Sequence, residues 1–284
     1  MLLSSLYSFA NPINIMVPAA PGGAMTEIAL ALDSSFNENG VQSVVLYNPG
    51  ANGDIAIREA LKMRDNVILD TARGLAVFSN VTSDRENPYT KNFVFVAPIV
   101  GFTMGFESTS KNFNSLKEMV EYAKQNPLPC GAAGPHGSFE LLRINKKYGT
   151  QFEPIIYKGS SQLRLDLIEG TLKCAYDGVP SNVQLHETGK LKILSTDKYV
   201  KGIDVPLTNT VLHGYTFENW LGFAIPKDSN LLKNPQVMKV IRELNNSKNL
   251  EALVNTPGFV KSEPDSSIDK IMDQDIEMYR KLKK

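Results

Sequence analysis

The sequence predicts an α/β fold of two lobes, each a mainly parallel sheet flanked by helices, with a ligand cleft between them. Three observations lead there. Short β-rich runs alternate with helical stretches along the chain. Turns rich in glycine, proline, asparagine and serine recur where a strand hands over to a helix. Two extended runs are placed to pass from one lobe to the other.

Taken in order, strands are expected at 13–17, 44–47, 67–71, 93–100, 103–107, 129–132, 152–156, 173–176, 192–195 and 221–224. Helices are expected at 25–37, 54–62, 115–124, 138–148, 160–169, 180–188, 235–245, 251–254 and 266–283. The run 93–108, broken by Pro98 and Gly101, is too long for one typical strand and forms the first crossing. A return near 220–226 hands the C-terminal helices back. The first lobe then comprises 11–101 and 222–284, and the second 102–221. Two crossings imply a cleft that closes on a ligand.

The 284 residues suffice for one large or two medium domains. Thirty basic and thirty acidic side chains cancel, and the single basic block, 280–284, reads as a solvated helix end, so no nucleic-acid partner is expected. No segment reaches the roughly 18–20 apolar residues of a membrane span. Residues 1–10 read either as the tail of an export signal, with Ser8 and Ala10 before a cleavage point, or as a frayed terminus. Cys130 and Cys174 each flank a strand-like run; buried free thiols are the favoured reading and a single disulfide the alternative. His136, His186 and His213 are too scattered for a metal site, and no cofactor is expected.

The loops carry the chemistry. After the first strand, the turn Pro21, Gly22, Gly23, Ala24 brings unpaired N–H groups to a helix start, where the dipole adds positive charge and an anion is favoured. The spacing matches no dinucleotide or P-loop fingerprint, and a plain strand–turn–helix junction is the alternative for any one such loop. The design recurs at 48–53, 70–74, 131–138, 157–161 and 176–181. In open parallel sheets these ends line one crevice.

The segments "VPAAPGGAMTEIA", "NPGANGDIA", "SLKEMVEYAKQNP", "YKGSSQLRLDLIEGTLKCAYDGVPS", "HETGKLKILS" and "NWLGFAIPKDS" occur in this order between Ile13 and Phe259. Together they resemble the tripartite tricarboxylate transporter substrate-binding receptors, also called the Bug or TctC-like family. The resemblance implies a two-lobed, periplasmic-binding-protein-like (type II) fold. It further implies a monomeric, exported periplasmic receptor that captures a small organic carboxylate and passes it to the membrane permease subunits of a tripartite transporter. A receptor that loads a sensor is the alternative, since lobe closure serves both roles.

Main-chain amides and ordered waters would hold the carboxylate in such a receptor. The candidate contacts are Ala20, Pro21, Gly22, Gly23, Ala24, Met25 and Thr26 in the first loop, with Asn52, Thr71 and Arg73 in the next two. From the second lobe come Gly134, His136, Gly137 and Ser138, then Tyr157, Lys158, Gly159 and Ser160, and finally Asp177. Arg73 is expected either to grip a second carboxylate bidentately or to form a surface salt bridge. The chain departs from the family pattern at Ala19, where an aromatic residue is usual, at Thr26, where Asp is common, and at His136 and Glu140.

Enzymatic activity is not expected. The chain has no Gly-x-Ser-x-Gly elbow, no His-Glu-x-x-His and no plausible Cys/His pair. Asp177 and Glu140 read as helix caps or lysine partners, and Lys158 as a loop residue beside the ligand. Di- and tricarboxylates, acidic amino acids and aromatic acids all stay open as ligands. The phenylalanines of the first crossing (Phe93, Phe95, Phe102, Phe106) read as core and hinge packing before they read as an aromatic-ligand site.

Overall fold

The computed structural model describes residues 11–75, 91–96, 100–217, 219–261, 276–277 and 279–280. Its strands form two sheets. The first holds β1 (Ile13–Val17), β2 (Ser43–Tyr47), β3 (Val67–Ala72), β4 (Phe93–Phe95), β5 (Val100–Phe102), β11 (Trp220–Pro226) and β12 (Phe259–Lys261). Their order is β12-β5-β11-β3-β1-β2, with β4 also paired to β11. The second holds β6 (Met104–Ser108), β7 (Leu128–Ala133), β8 (Phe152–Tyr157), β9 (Cys174–Gly178) and β10 (Lys192–Thr196), ordered β10-β6-β9-β7-β8.

Both sheets are mixed, which corrects the expectation of mainly parallel ones. In the first, β2-β1-β3 is parallel, while β11 runs antiparallel to β3, β4 and β5, and β12 antiparallel to β5. In the second, β8-β7-β9 is parallel and β6 is antiparallel to β9 and β10. The reason lies in the connections. Parallel neighbours need a crossover, usually helical, of a dozen or more residues. β6 instead follows β5 after Thr103 alone, and β11 arrives from the other sheet, so neither is delivered by such a crossover.

Helix α1 (Ala24–Glu38) buries Ile28, Leu32, Ser35 and Phe36 at helical spacing. Helix α2 is Asp54–Met63 and helix α3 is Leu116–Gln125. Helices α4 (Pro135–Tyr148) and α5 (Ser160–Glu169) belong to the second lobe; α5 matches the expected bounds, whereas α4 begins three residues before them. The expected helix at 180–188 is a 3-10 turn, Val179–Asn182, followed by α6 (Val183–Glu187). A short α7 (Thr208–Val211) lies on the return path, and α8 (Pro235–Glu243) and α9 (Lys248–Val254) complete the first lobe. The expected signal remnant lies outside the described residues, as does most of the helix at 266–283. Tyr279 is buried against Phe139 and donates to Glu140 Oε1 at 2.5 Å, so the chain's end reaches the second lobe.

Thr103 stands where the chain first passes between the two sheets. Its N–H donates to the Gly258 carbonyl (2.8 Å) and its carbonyl accepts from Val179 N–H (2.9 Å), tying it to both lobes. The return segment is pinned to α4: Arg143 donates to Thr216 O (2.8 Å), Lys147 to Gly214 O (2.7 Å) and Tyr148 to His213 O (3.1 Å). Glu140, expected to meet a lysine or cap a helix, instead accepts from Arg143 (2.8 Å) and Tyr215 (3.2 Å) in a buried network that continues through Tyr176 to Asp197.

Cys130 and Cys174 are register partners on β7 and β9 and form a disulfide across a separation of 44 residues, which overturns the free-thiol reading. Cross-linking removes loop-closure entropy from the unfolded chain. The double variant Cys130→Ala, Cys174→Ala is expected to lose about 2–4 kcal/mol, read as a lower urea midpoint.

Asp70, on central strand β3, is fully buried; no side chain among the described residues hydrogen-bonds its carboxylate, and the neighbouring Thr71 backbone N–H only partly offsets the burial. Burial raises its pKa well above the ordinary value. The folded chain therefore holds the proton more tightly than the unfolded one. Stability falls as pH climbs from about 3.9, the unfolded value, toward the folded value. Asp70→Asn is expected to raise Tm at pH 7 and to lose that advantage by pH 4, each unit of raised pKa being worth about 1.4 kcal/mol.

Candidate functional site

Between the sheets lies a cavity of about 360 Å³. Its floor and walls come from the carboxyl ends of β1, β3, β7, β8 and β9 and from the two crossings, which contribute Phe102 and Leu221. Among the described residues, four helices that start at its edge are preceded by glycine, Gly23 before α1, Gly53 before α2, Gly134 before α4 and Gly159 before α5, while a helical turn at 73–75 opens after Ala72. All four glycines line the cavity, and none supplies a side-chain cap.

Three helices elsewhere are treated differently, while α6 and α7 also lack a side-chain cap. Ser115 caps α3 by accepting from Glu118 N–H, Asn234 caps α8 through Gln236 and Val237 N–H, and Ser247 caps α9 through Leu250 N–H. A helix leaves its first four amides without intrahelical partners, and a serine or asparagine cap uses up one or two. In α1 only Thr26 and Glu27 N–H turn back, both to Gly23 O, which leaves the Ala24 and Met25 amides at the cavity wall. The cavity thus receives free donors from the positive end of α1, whereas at α2 the Asp54 amide donates to Ala51 O and α4 opens on Pro135, which has no N–H.

The lips of the two lobes touch. Ala20 N–H donates to Lys158 O (3.0 Å), Ser161 Oγ to Pro21 O (2.7 Å) and Arg164 Nη2 to Gly22 O (3.0 Å). Arg164 also reaches Ser181 O (3.2 Å), so one guanidinium bridges the first loop and the second lobe. Gly159 permits the approach, because a Cβ there would meet Ala20 O and Cβ at 3.2 Å. Gly22 has φ +93°, and a Cβ on it would come within 2.7 Å of Ser161 Oγ. Gly23 needs no such freedom: its φ is −118° and an added Cβ would make only an ordinary 3.6 Å contact.

Beneath the cavity two carboxyls share one amide. Asn182 Nδ2 donates to both oxygens of Glu107 (2.7 and 2.9 Å) and reaches Asp177 Oδ2 at 3.4 Å, while Ser160 Oγ donates to Asp177 Oδ1 at 2.9 Å. Burial raises the pKa of both acids; the neighbouring Asp177 adds to the rise at Glu107, and Arg164 opposes it at both. His136 is driven down to about 4, first by burial and then by the positive charge of Arg73, and is neutral at pH 7. Among the described residues no three His, Cys, Asp or Glu side chains gather as metal ligands would.

Of the residues singled out in the sequence, the cavity is lined by Ala20, Gly23, Ala24, Met25, Asn52, Gly134, His136, Tyr157, Lys158, Gly159, Ser160 and Asp177. Pro21 and Gly22 lie at the lip, where their carbonyls accept the inter-lobe bonds. Thr26 is buried and its hydroxyl accepts from Gly22 N–H (3.0 Å), bracing the loop from behind. Thr71, Gly137 and Ser138 are buried away from the lining. Arg73 does not line the cavity; its guanidinium stands 5.3 Å from the centroid of the Phe217 ring. Ala72, Ala133, Pro135 and Leu221 lay in loops and a crossing marked in the sequence without being named as contacts, Leu75 and Ile156 had no motif to mark them, and Phe102 was read as packing ahead of an aromatic-ligand site. Gly53 could have been found, since its turn has the same form as the first.

The two lobes, the two crossings and the cleft between them define a solute-binding protein. The family model for the tripartite tricarboxylate transporter family receptor, TctC, matches residues 29–282, and the chain belongs to that family. It is 25% identical over 237 residues to the "UPF0065 protein in tcbD-tcbE intergenic region" of Pseudomonas sp. strain P51, covering 77% of this chain and 69% of that one. Among solved structures, MatC from Rhodopseudomonas palustris with bound malate superposes with a TM-score of 0.83 at 15% identity, covering 96% and 99% of the two chains. A second R. palustris protein, with adipate, superposes at 0.82 and 19% identity, covering 95% of each. The family and its structural neighbours are solute-binding receptors, not enzymes.

The lip contacts generate a contrast between adjacent glycines. Gly22→Ala and Arg164→Ala are each expected to open the cleft, the arginine through loss of charged hydrogen bonds worth about 1.5–3 kcal/mol. Gly23→Ala should leave it closed. The radius of gyration from small-angle X-ray scattering reads the difference.

Proposed function

We propose that the chain is an exported, monomeric receptor that holds a small organic carboxylate in this cleft and delivers it to the membrane permease subunits of a tripartite transporter. The observation that carries the reading is the pair of Ala24 and Met25 amides left at the cavity wall by the glycine-preceded start of α1, with three further glycine-preceded helix starts at the same cavity. Donors left without partners at the positive ends of helices favour an anion of carboxylate size. Membership of the TctC family supports the handover to a permease. Neighbours of the same fold hold malate and adipate, which supports the ligand class. The Cys130–Cys174 disulfide suits an oxidising compartment and supports export.

In this reading the amides of Ala24 and Met25 and those opening α5 take the carboxylate, and Lys158 adds a positive charge at the mouth. The first lobe runs over 11–101 and 222–284 and the second over 102–221, the boundaries falling beside Thr103 and within β11.

The test is a thermal-shift screen of protein that has been unfolded and refolded to strip carried solute, against mono-, di- and tricarboxylates, acidic amino acids and aromatic acids. A selective rise with one acid class is expected, about 2.7 kcal/mol of stabilisation at 100 times Kd. Equal rises with the corresponding alcohols or amides would contradict an anion site. In cells, deletion should abolish uptake of the same acid; unchanged uptake with lost gene induction would point to sensing instead.

A further inference from the structure

We propose that the solute is a monocarboxylate with an apolar body, not a di- or tricarboxylate; this rests on the carboxylate-receptor reading above and narrows it. The argument is an inventory of charge and hydrogen-bonding capacity around the cavity. Among the described residues lining it, Lys158 is the one lysine or arginine, and it is exposed at the mouth, not set in the interior. Arg164 is committed to the carbonyls of Gly22 and Ser181, and the Arg73 guanidinium sits against Phe217; neither lines the cavity.

The interior polar groups are poor partners for a second anion. Asp177 lies in the wall only 2% exposed, and both its oxygens accept hydrogen bonds, from Ser160 and Asn182, so it stands as an acceptor that repels another carboxylate. The Ser160 hydroxyl spends its proton on Asp177 (2.9 Å), and the Tyr157 hydroxyl spends its own on Asp166 (2.6 Å). His136 is uncharged at neutral pH and lies 3.4 Å from Asn219 Nδ2.

Asn52, exposed, and Ser181, half-buried, are the other polar side chains of the lining and carry no charge; the rest of the wall is largely apolar, with Ala72, Leu75, Phe102, Ile156 and Leu221 among its residues. A carboxylate pressed against such a surface loses its hydration with nothing to replace it, at a cost of several kcal/mol. An alkyl chain or an aromatic ring gains from the same contact. At about 360 Å³ the cavity stands near the lower end of the roughly 300–1,000 Å³ usual for small-molecule sites, so both ends of a small diacid would be enclosed. One charged end at the helix starts and an uncharged body against this wall satisfy both halves of the site.

The experiment compares acids of matched skeleton by calorimetry on the refolded full chain: hexanoate with adipate, and benzoate with terephthalate, with hexan-1-ol and malate as references. At least one monoacid is expected to bind about tenfold or more tighter than its diacid, a difference of 1.4 kcal/mol. A diacid that binds as tightly as its monoacid, or tighter, overturns the inference and leaves the carboxylate receptor standing. Binding of malate with neither monoacid detected overturns it in the same way. Hexan-1-ol binding as tightly as hexanoate overturns the carboxylate reading itself, and silence from every acid overturns both.

Discussion

The structure turns on one constraint of helix chemistry: the first N–H groups of a helix have no partner within it and must find one elsewhere. Where α3, α8 and α9 begin, a serine or asparagine side chain supplies it. Where α1, α2, α4 and α5 begin beside the cavity, glycine supplies no side chain, and at α1 the Ala24 and Met25 amides are left without partners at its wall. A backbone left in this state in one place is a cost to the empty fold and a gain to whatever anion enters. The strands matter because they aim these helices. Four of the five strand ends around the cleft belong to the parallel units β1–β3 and β7–β8, and β9 extends the second.

Closure follows from the same loops. The carbonyls of Pro21 and Gly22 meet Ser161 and Arg164, so the segment whose amides face the cavity also touches the opposite lobe. In the proposed receptor, binding and closing would be coupled through this single turn of chain, which requires glycine at position 22 for its φ and glycine at 159 for the close approach. Thr103 would be the pivot there, because its two backbone groups are each held by a different lobe. The return segment has less freedom, since Arg143, Lys147 and Tyr148 fasten it to α4.

Much of this was legible in the sequence, for physical reasons that differ by element. Strand β1 and helix α5 coincide with their expected bounds because their apolar period and flanking turns are local signals. The glycine-rich turns were readable because the site is made of backbone, and backbone geometry is written in glycine and proline. The direction of β6 and β11 was not, since it depends on the absence of a crossover and not on the strand's own residues. β12 was missed because three residues after Gly258 carry too little pattern. The disulfide depended on β7 and β9 becoming neighbours, a fact of topology. Arg73 was drawn into the site by its loop, yet its guanidinium packs against Phe217, a ring 144 positions away in the chain. The apolar wall was harder to read for a related reason, because Leu75 looks like any core leucine until the strands are placed.

The central claim is that main-chain amides at the helix starts hold the ligand's carboxylate. The most direct measurement is an NMR titration of the refolded, isotopically labelled chain with its best-binding acid, following the amide resonances of Ala24, Met25, Ser160 and Ser161. The account predicts that the first-turn amides of α1 and α5 move together downfield and saturate with the calorimetric Kd, while those of the side-chain-capped helices α3 and α9 stay in place. Saturable binding that leaves the α1 and α5 amides unmoved would contradict it.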